Sequence, residues 1–574
     1  MWAAASAQPL FFPLKELKPG TRAVGKTVFS GREIEEFQAE ILGVLENIGP
    51  KQSLILARLS GGALGKTGVL QGMSGSPVYV DGRLVGAVAM AFPYATEPVA
   101  GIRPIEEMLR AGETRGPARA SARISLTDAN LASWLPKPAE VLVGKSRMVD
   151  IATPISFSGF TRDTVERFSP QLRVLGLEPC QGISGGGGTQ RMGDPSNVKP
   201  GSMISVQLLR GDMSVSADGT VTHVDGRRIY AFGHRFLSTG ATEIPFARAE
   251  VLTVLPMLTT SFKISAAREM LGTISQDRNS GISGDLGRRA SLTPVSITVV
   301  DPGGKPNRYQ IEMVNDGFLS PFLLQMAIFS AIDATERTLG ASSYAVKGQI
   351  EFEGTVPPVR IDNMASGNFA AVLQASLSAA APLAYVLQND FESLKLKKIT
   401  LDIGVFDEKK QMQIDQVFVS KREVRPGERL ELMMVFVGEN GLERTRKLDY
   451  QVPAGASPGT LAFTVADGIS SNIAEIRQFI GTPPKSLAQL IDTVNQLRAN
   501  TKAYVRVWRQ DAAYQIEGAD MPDPPPSASM ILARSQATQG NLSQTRNSKV
   551  AEFVVDAGDS VVTGSKTVQV EIKE

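Results

Sequence analysis

Two scarce residue types restrict the chemistry open to this 574-residue chain: it has two histidines, His223 and His234, and one cysteine, Cys180. One cysteine cannot form an intramolecular disulfide or a cysteine-rich zinc site, and neither histidine lies in a His-Glu-x-x-His spacing. An imidazole acting as general base is therefore one of two. The sharpest local cluster is Gln71-Gly72-Met73-Ser74-Gly75-Ser76-Pro77-Val78. Glycines on both sides of Ser74 permit a tight turn without a Cβ clash, so that backbone N–H groups can converge on one point. In that geometry the amides of Gly72 and Ser74 form an oxyanion hole for the charge that develops when the Ser74 hydroxyl attacks a peptide carbonyl. The bland reading of the same residues is a glycine-rich hairpin turn.

The histidines differ in setting. His223 falls inside the strand Thr220–Val224, where a packed or surface role is expected. His234 follows Gly233 at the end of the next strand, where a ring can swing over a cleft, and it is the expected base. A third, acidic member is not fixed by spacing: Asp225, Glu243, Asp277 and Asp285 all lie near or after His234. Two other motifs carry less. Ser60-Gly61-Gly62-Ala63-Leu64-Gly65-Lys66-Thr67 nearly matches a P-loop, but Ser60 replaces the first glycine and the following residues read as a strand where a helix is needed. Cys180, with no histidine beside it in sequence, reads as an inert small hydrophobe.

The elements that must position these groups are β-rich. Val69–Val80 and Arg83–Met90 flank Asp81-Gly82, and Thr220–Val224 and Arg227–Phe232 flank Asp225-Gly226, the same strand, Asp-Gly, strand grammar twice. Ile105–Leu109 predicts a short helix, residues 111–125 a connector, Gly182–Gly188 a loop, and Pro321–Leu339 a helix. After residue 395, strands over Lys397–Val405, Gln411–Val419, Arg429–Val437 and Thr460–Val465 predict a β-sandwich. Leu487–Leu497 predicts a helix, Asp523-Pro524-Pro525-Pro526 a stiff break, and Val550–Val555 and Thr567–Ile572 strands that return to an earlier sheet.

Composition excludes several classes. Lys+Arg 60 against Asp+Glu 58 leaves a net charge of +2, with no global attraction to nucleic acid. Hydrophobic residues at 42% and charged residues at 21% are those of a folded protein. No metal or organic cofactor is implied. No apolar run is long enough to span a bilayer; Phe369–Leu387, interrupted by Gln374 and Pro382, predicts a buried or amphipathic helix. Ala5-Ser6-Ala7 fits the small-x-small pattern of a signal-peptide cleavage site, so residues 1–7 read as a remnant of an export signal.

The Gly-x-Ser-Gly-x-Pro form is how trypsin-like folds present a nucleophile, although Met73 in place of aspartate excludes activation by an ion pair to a new N-terminus. The run Lys66-Thr67-Gly68-Val69-Leu70-Gln71-Gly72-Met73-Ser74-Gly75-Ser76-Pro77, with Asp81-Gly82-Arg83-Leu84-Val85-Gly86-Ala87-Val88, resembles the SpoIVB-type serine peptidase family. Gly25–Gly31, Glu36–Val44 and Gly101-Ile102 add to the likeness, and Gly219-Thr220-Val221 through Ala231-Phe232-Gly233-His234 is similar to the family's histidine-bearing segment. Two departures stand out. The serine segment here precedes the histidine segment, a permuted order that a geometrically defined triad tolerates. The family's aspartate shortly upstream of its serine has no counterpart in Arg58-Leu59-Ser60-Gly61.

The resemblance implies a mainly β chain with some helix, an α+β fold. A trypsin-like, SpoIVB-type β-barrel peptidase unit is followed by β-sandwich-like C-terminal modules. The expected division is 8–125 with the serine, 126–199 as linker or insert, 200–360 with the histidine, 361–394 as helical connector, 395–470 as sandwich and 471–574 as mixed module. The expected activity is an exported serine endopeptidase, Ser74 and His234 acting on protein or peptide substrates or on the chain itself. The rival is a peptidase-fold scaffold that binds partners and lacks catalysis.

Overall fold

The computed structural model describes residues 10–113, 139–182, 191–335, 340–368, 370–389, 391, 394–479, 484–509, 513–516, 519–521, 525–535, 542–545 and 548–574. The export-signal remnant, most of the 111–125 connector, nearly all of the Gly182–Gly188 loop and the start of the Pro-rich break lie outside the described residues. The chain forms two compact units, residues 1–296 with 309–334, and residues 297–308 with 335–574. Strands dominate both, so the fold is mainly β with some helix.

The first unit opens with six strands: β1 (Arg22–Thr27), β2 (Glu35–Gly49), β3 (Gln52–Ser60), β4 (Pro77–Val80), β5 (Arg83–Ala91) and β6 (Val99–Pro104). Antiparallel pairing runs β1–β2–β3–β6–β5–β4 and returns to β1, which closes a barrel and leaves no edge within the ring. Alternation sets the faces: in β2, Phe37, Ala39 and Ile41 are buried while Gln38 and Glu40 are exposed. Phe37, Ile41, Ile55, Leu59, Val78, Val88 and Ile102 fill the interior. A single helical turn, α1 (Leu64–Thr67), follows β3, and α2 (Ile105–Glu113) follows β6. The long strand expected over Val69–Val80 shortens to β4, and residues 68–76 form an irregular turn segment.

The 126–199 stretch supplies structure to this unit. It holds β7 (Glu140–Val143), β8 (Ser146–Asp150), β9 (Thr153–Ser158), α3 (Arg162–Val174) and β10 (Leu177–Gln181). β8 pairs with β5 at Met90↔Asp150, and β9 pairs with a later strand. Then come β11 (Met203–Gly211), β12 (Ser214–Asp225), β13 (Arg228–Ala231), β14 (Gly240–Leu255), β15 (Phe262–Arg278) and β16 (Gly281–Leu286). Their antiparallel pairing runs β12–β13–β16–β15–β14–β11 and back to β12, a second closed six-stranded ring. β14 and β15 are 16 and 17 residues long, and repeated register shifts between them supply the bends that curve so long a ribbon.

In the second unit, Ser342–Phe352 pairs with Val359–Gly367 and Leu396–Phe406. Helix Ala371–Leu387 lies on the first two of these strands and buries Ala375, Ala379 and Leu383. Among the described residues no helix is long and apolar enough to cross a membrane. Two further sheets pack face to face: Met412, Ile414, Leu432 and Phe436 of one meet Leu461, Phe463, Val505 and Val570 of the other. The C-terminal strands return to these sheets, Ser565–Ile572 beside Gly459–Asp467 and Ser548–Asp556 beside Lys502–Arg509.

Candidate active site

Ser74 sits in the irregular segment that leads into β4. Leu70 and Met73 point into the first barrel's core and anchor it there. The second barrel clamps the same turn through β12. The Thr220 amide donates to the Ser74 carbonyl (2.9 Å), the Thr220 hydroxyl to the Gly72 carbonyl (3.0 Å), and the Thr222 hydroxyl to the Gly75 carbonyl (2.7 Å). Gly75, at φ +92°, is hemmed in: a Cβ there would lie 2.0 Å from the Thr220 carbonyl oxygen and 2.5 Å from the Phe232 nitrogen. Only glycine tolerates that approach.

Hydrogen bonding divides the amides of the turn. Gln71, Met73, Gly75 and Ser76 donate to the carbonyls of Ser261, Leu70, Val88 and Met73. Gly72 and Ser74 donate to no acceptor among the described residues, which leaves two N–H groups flanking the serine free to meet an anion.

His234 leaves the end of β13 through a strained bend. The Gly233 amide donates to the Ala231 carbonyl at 2.9 Å across Phe232, whose φ of +69° is rare for a bulky residue. This bend lies beside the serine turn. A Cβ on Gly233 would stand 3.2 Å from the Val88 carbonyl oxygen, the same oxygen that accepts from the Gly75 amide at 2.8 Å.

The His234 ring is held by a backbone group. Its Nδ1 lies 2.7 Å from the Arg235 carbonyl oxygen. A carbonyl only accepts, so Nδ1 carries the proton and Nε2 the lone pair, the tautomer a general base needs. Nε2 and the Ser74 hydroxyl are both buried, neither has a hydrogen-bond partner among the described residues, and they do not bond each other. Burial holds His234 below the ordinary imidazole range; Asp150 and the Arg235 carbonyl oppose this, Arg103 adds to it, and Asp277 opposes it more weakly.

The acid candidates separate. Asp277 is buried and turned toward the segment after His234: its carboxylate accepts from the amides of Phe236 (2.9 Å), Leu237 (2.7 Å) and Thr239 (3.2 Å). It makes no hydrogen bond to the ring and fixes the loop that carries it. Burial pushes Asp277 up, and these amides oppose the rise. Asp225 is exposed at the hairpin end and acts on His223. Glu243 and Asp285 both pair with Arg288, at 3.5 and 3.8 Å. His223 packs edge-on to Phe11 and stacks on Tyr230.

Asp150 escaped sequence reasoning. It ends β8, where the Ile151 amide donates to the Ala89 carbonyl, beside the face of β5 on which Gly233 rests. One carboxylate oxygen accepts from the Ala139 amide at 3.0 Å; the other is buried and without a partner among the described residues. Its charge acts on His234 more strongly than that of Asp277. The available signal was a lone acid closing a short strand, inside a stretch that reads as a linker. Thr220 and Thr222 were also missed, although their alternation in Gly219-Thr220-Val221-Thr222 places both on one face of a strand. Cys180 is mostly buried, with burial pushing its thiol up to about 11, as an inert cysteine requires.

Curated proteins and solved structures give no match to the chain. A family model does: residues 12–109, the segment that holds the whole first barrel and Ser74, match the family described as SpoIVB peptidase S55. The match supports a serine peptidase, and over those residues this chain is similar to the SpoIVB-type family that its serine motif resembles.

Proposed function

We propose that the chain is a serine endopeptidase that cleaves protein substrates, or itself, in the cell envelope or outside the cell. Ser74 is the nucleophile and His234 the general base. The Ser74 hydroxyl gives its proton to His234 Nε2 as its oxygen attacks the peptide carbonyl carbon. The charge on the carbonyl oxygen is received by the amides of Gly72 and Ser74. His234 then returns the proton to the leaving amine, and water, activated by the same ring, releases the acyl group.

The observation that carries this reading is the Arg235 carbonyl on Nδ1, which leaves Nε2 as an unprotonated acceptor in the segment beside the serine turn. Arg235 and Asp277 share the orienting work that a triad acid does alone: one fixes the tautomer, the other the loop. The likeness of residues 12–109 to SpoIVB-type peptidases supports a setting outside the cytoplasm.

One observation favours the scaffold reading: Ser74 is fully buried and its hydroxyl does not bond to His234. A serine-directed phosphonate separates the two. The peptidase reading expects a covalent adduct mapped by mass spectrometry to Ser74, with adduct and casein cleavage both lost in Ser74→Ala. Unlabelled wild-type protein favours the scaffold.

A further inference from the structure

Beneath the serine turn lies a charged group that the mechanism above leaves unused. Lys263, the second residue of β15, reaches from the second barrel into the first. Its amide donates to the Gln71 carbonyl at 3.2 Å. Its stem runs along Gly72, where a Cβ would meet Lys263 Cδ at 3.2 Å and Cβ and Cγ at 3.4 Å. Its amine donates to Thr27 Oγ1 at 2.7 Å and lies 3.6 Å from Met203 Sδ. Thr27 Oγ1 also accepts from the Ser76 hydroxyl at 3.0 Å. The lysine thus underlies both ends of the Gly72–Ser76 turn.

We propose that Lys263 is a positioning residue of this site: its stem supports Gly72, and its ammonium places a positive charge behind the amides of Gly72 and Ser74. The inference rests on the peptidase reading.

A packing role alone does not explain a cation here. Lys263 is 2% exposed, and among the described residues its three N–H donors find one oxygen and one thioether. A methionine would fill the space without the desolvation cost. An anion formed at the two free amides supplies the missing counter-charge, so the ammonium helps most when the tetrahedral intermediate forms. In the resting protein burial pushes Lys263 down to about 7, opposed by the charge of Glu35 on β2; its neighbours on β1 and β11, Thr27 and Met203, are uncharged.

The signs follow. Activity requires His234 neutral and Lys263 charged, so kcat/KM rises with pH through the histidine titration and falls again as pH passes about 7. Lys263→Met keeps the stem and removes the charge. It is expected to lower kcat about 10- to 100-fold, below the full loss of an oxyanion donor, with KM little changed and the alkaline limb gone. Thr27→Val, which removes the amine's oxygen partner and keeps the lysine, is expected to move that limb to lower pH; this variant carries the test if Lys263→Met does not fold. Lys263→Met with wild-type kcat, or with reduced kcat and the limb retained, overturns the assignment. Phosphonate adduct formation at equal rates in wild type and Lys263→Met sinks the lysine alone, whereas no adduct in wild type sinks the peptidase reading with it.

Discussion

Each barrel of the first unit contains a hairpin built around Asp-Gly, and the two use the dipeptide differently. Between β4 and β5 the last pair is Val80↔Arg83, so Asp81 and Gly82 are the loop, both at positive φ (49° and 74°). That is a type I′ turn. Between β12 and β13 the last pair is Asp225↔Arg228, so Gly226, at φ 56°, takes the first loop position. That is the type II′ arrangement, one residue out of step, with Asp225 at the end of its strand. Asp-Gly therefore specifies a hairpin without specifying register. What the hairpins share is the place of the proposed chemistry, at the end away from the turn: Ser74 before β4, His234 after β13.

The sharpest way to break this parallel is to remove the proposed base. His234→Ala is expected to lower kcat/KM by about 10⁴ or more, while His223→Ala, on the preceding strand and packed on Phe11 and Tyr230, stays within about threefold. Equal losses in steady-state assays contradict the assignment of the base.

A smaller contrast lies within the first hairpin. Gly75→Ala drives a methyl into Thr220 and Phe232 and is expected to cost about 3 kcal/mol or more, visible as a lowered urea midpoint. Gly82→Ala meets no atom within 4 Å and bears only the left-handed backbone cost, about 1–2 kcal/mol. Similar costs at both positions remove the distinction between the turn end and the site end.

The mildest effect sharpens the histidine side. The Asp150 carboxylate draws His234 upward against burial, so Asp150→Asn lowers it further and moves the acid limb of kcat/KM to lower pH. With two histidines in the chain, NMR titration of the rings reads the same shift independently of turnover, His223 serving as the unmoved reference. An unmoved His234 excludes Asp150 from the site.

Local backbone geometry was legible in the sequence. Glycines around Ser74 and the Gly-His ending of a strand announce what their backbone does within a few residues. Asp277 was one of several acids at suitable spacing, and only the folded loop shows its carboxylate facing the amides of Phe236, Leu237 and Thr239. Asp150 and Lys263 were illegible for a stronger reason. Their roles depend on β8 lying beside β5 and on β15 reaching under Thr27, and strand pairing across long separations leaves no periodic trace in the strands themselves. The shift at Asp225 was hidden in the same way, since either turn accepts the dipeptide.

Whether a turn of the first barrel and a bend of the second make one site can be read from a crystal structure of the Ser74 phosphonate adduct. A single site places His234 Nε2 within hydrogen-bond reach of the Ser74 oxygen, about 2.6–3.2 Å, with a phosphonyl oxygen on the amides of Gly72 and Ser74. An adduct on another residue, or one whose oxygen avoids both amides while His234 faces away, contradicts it.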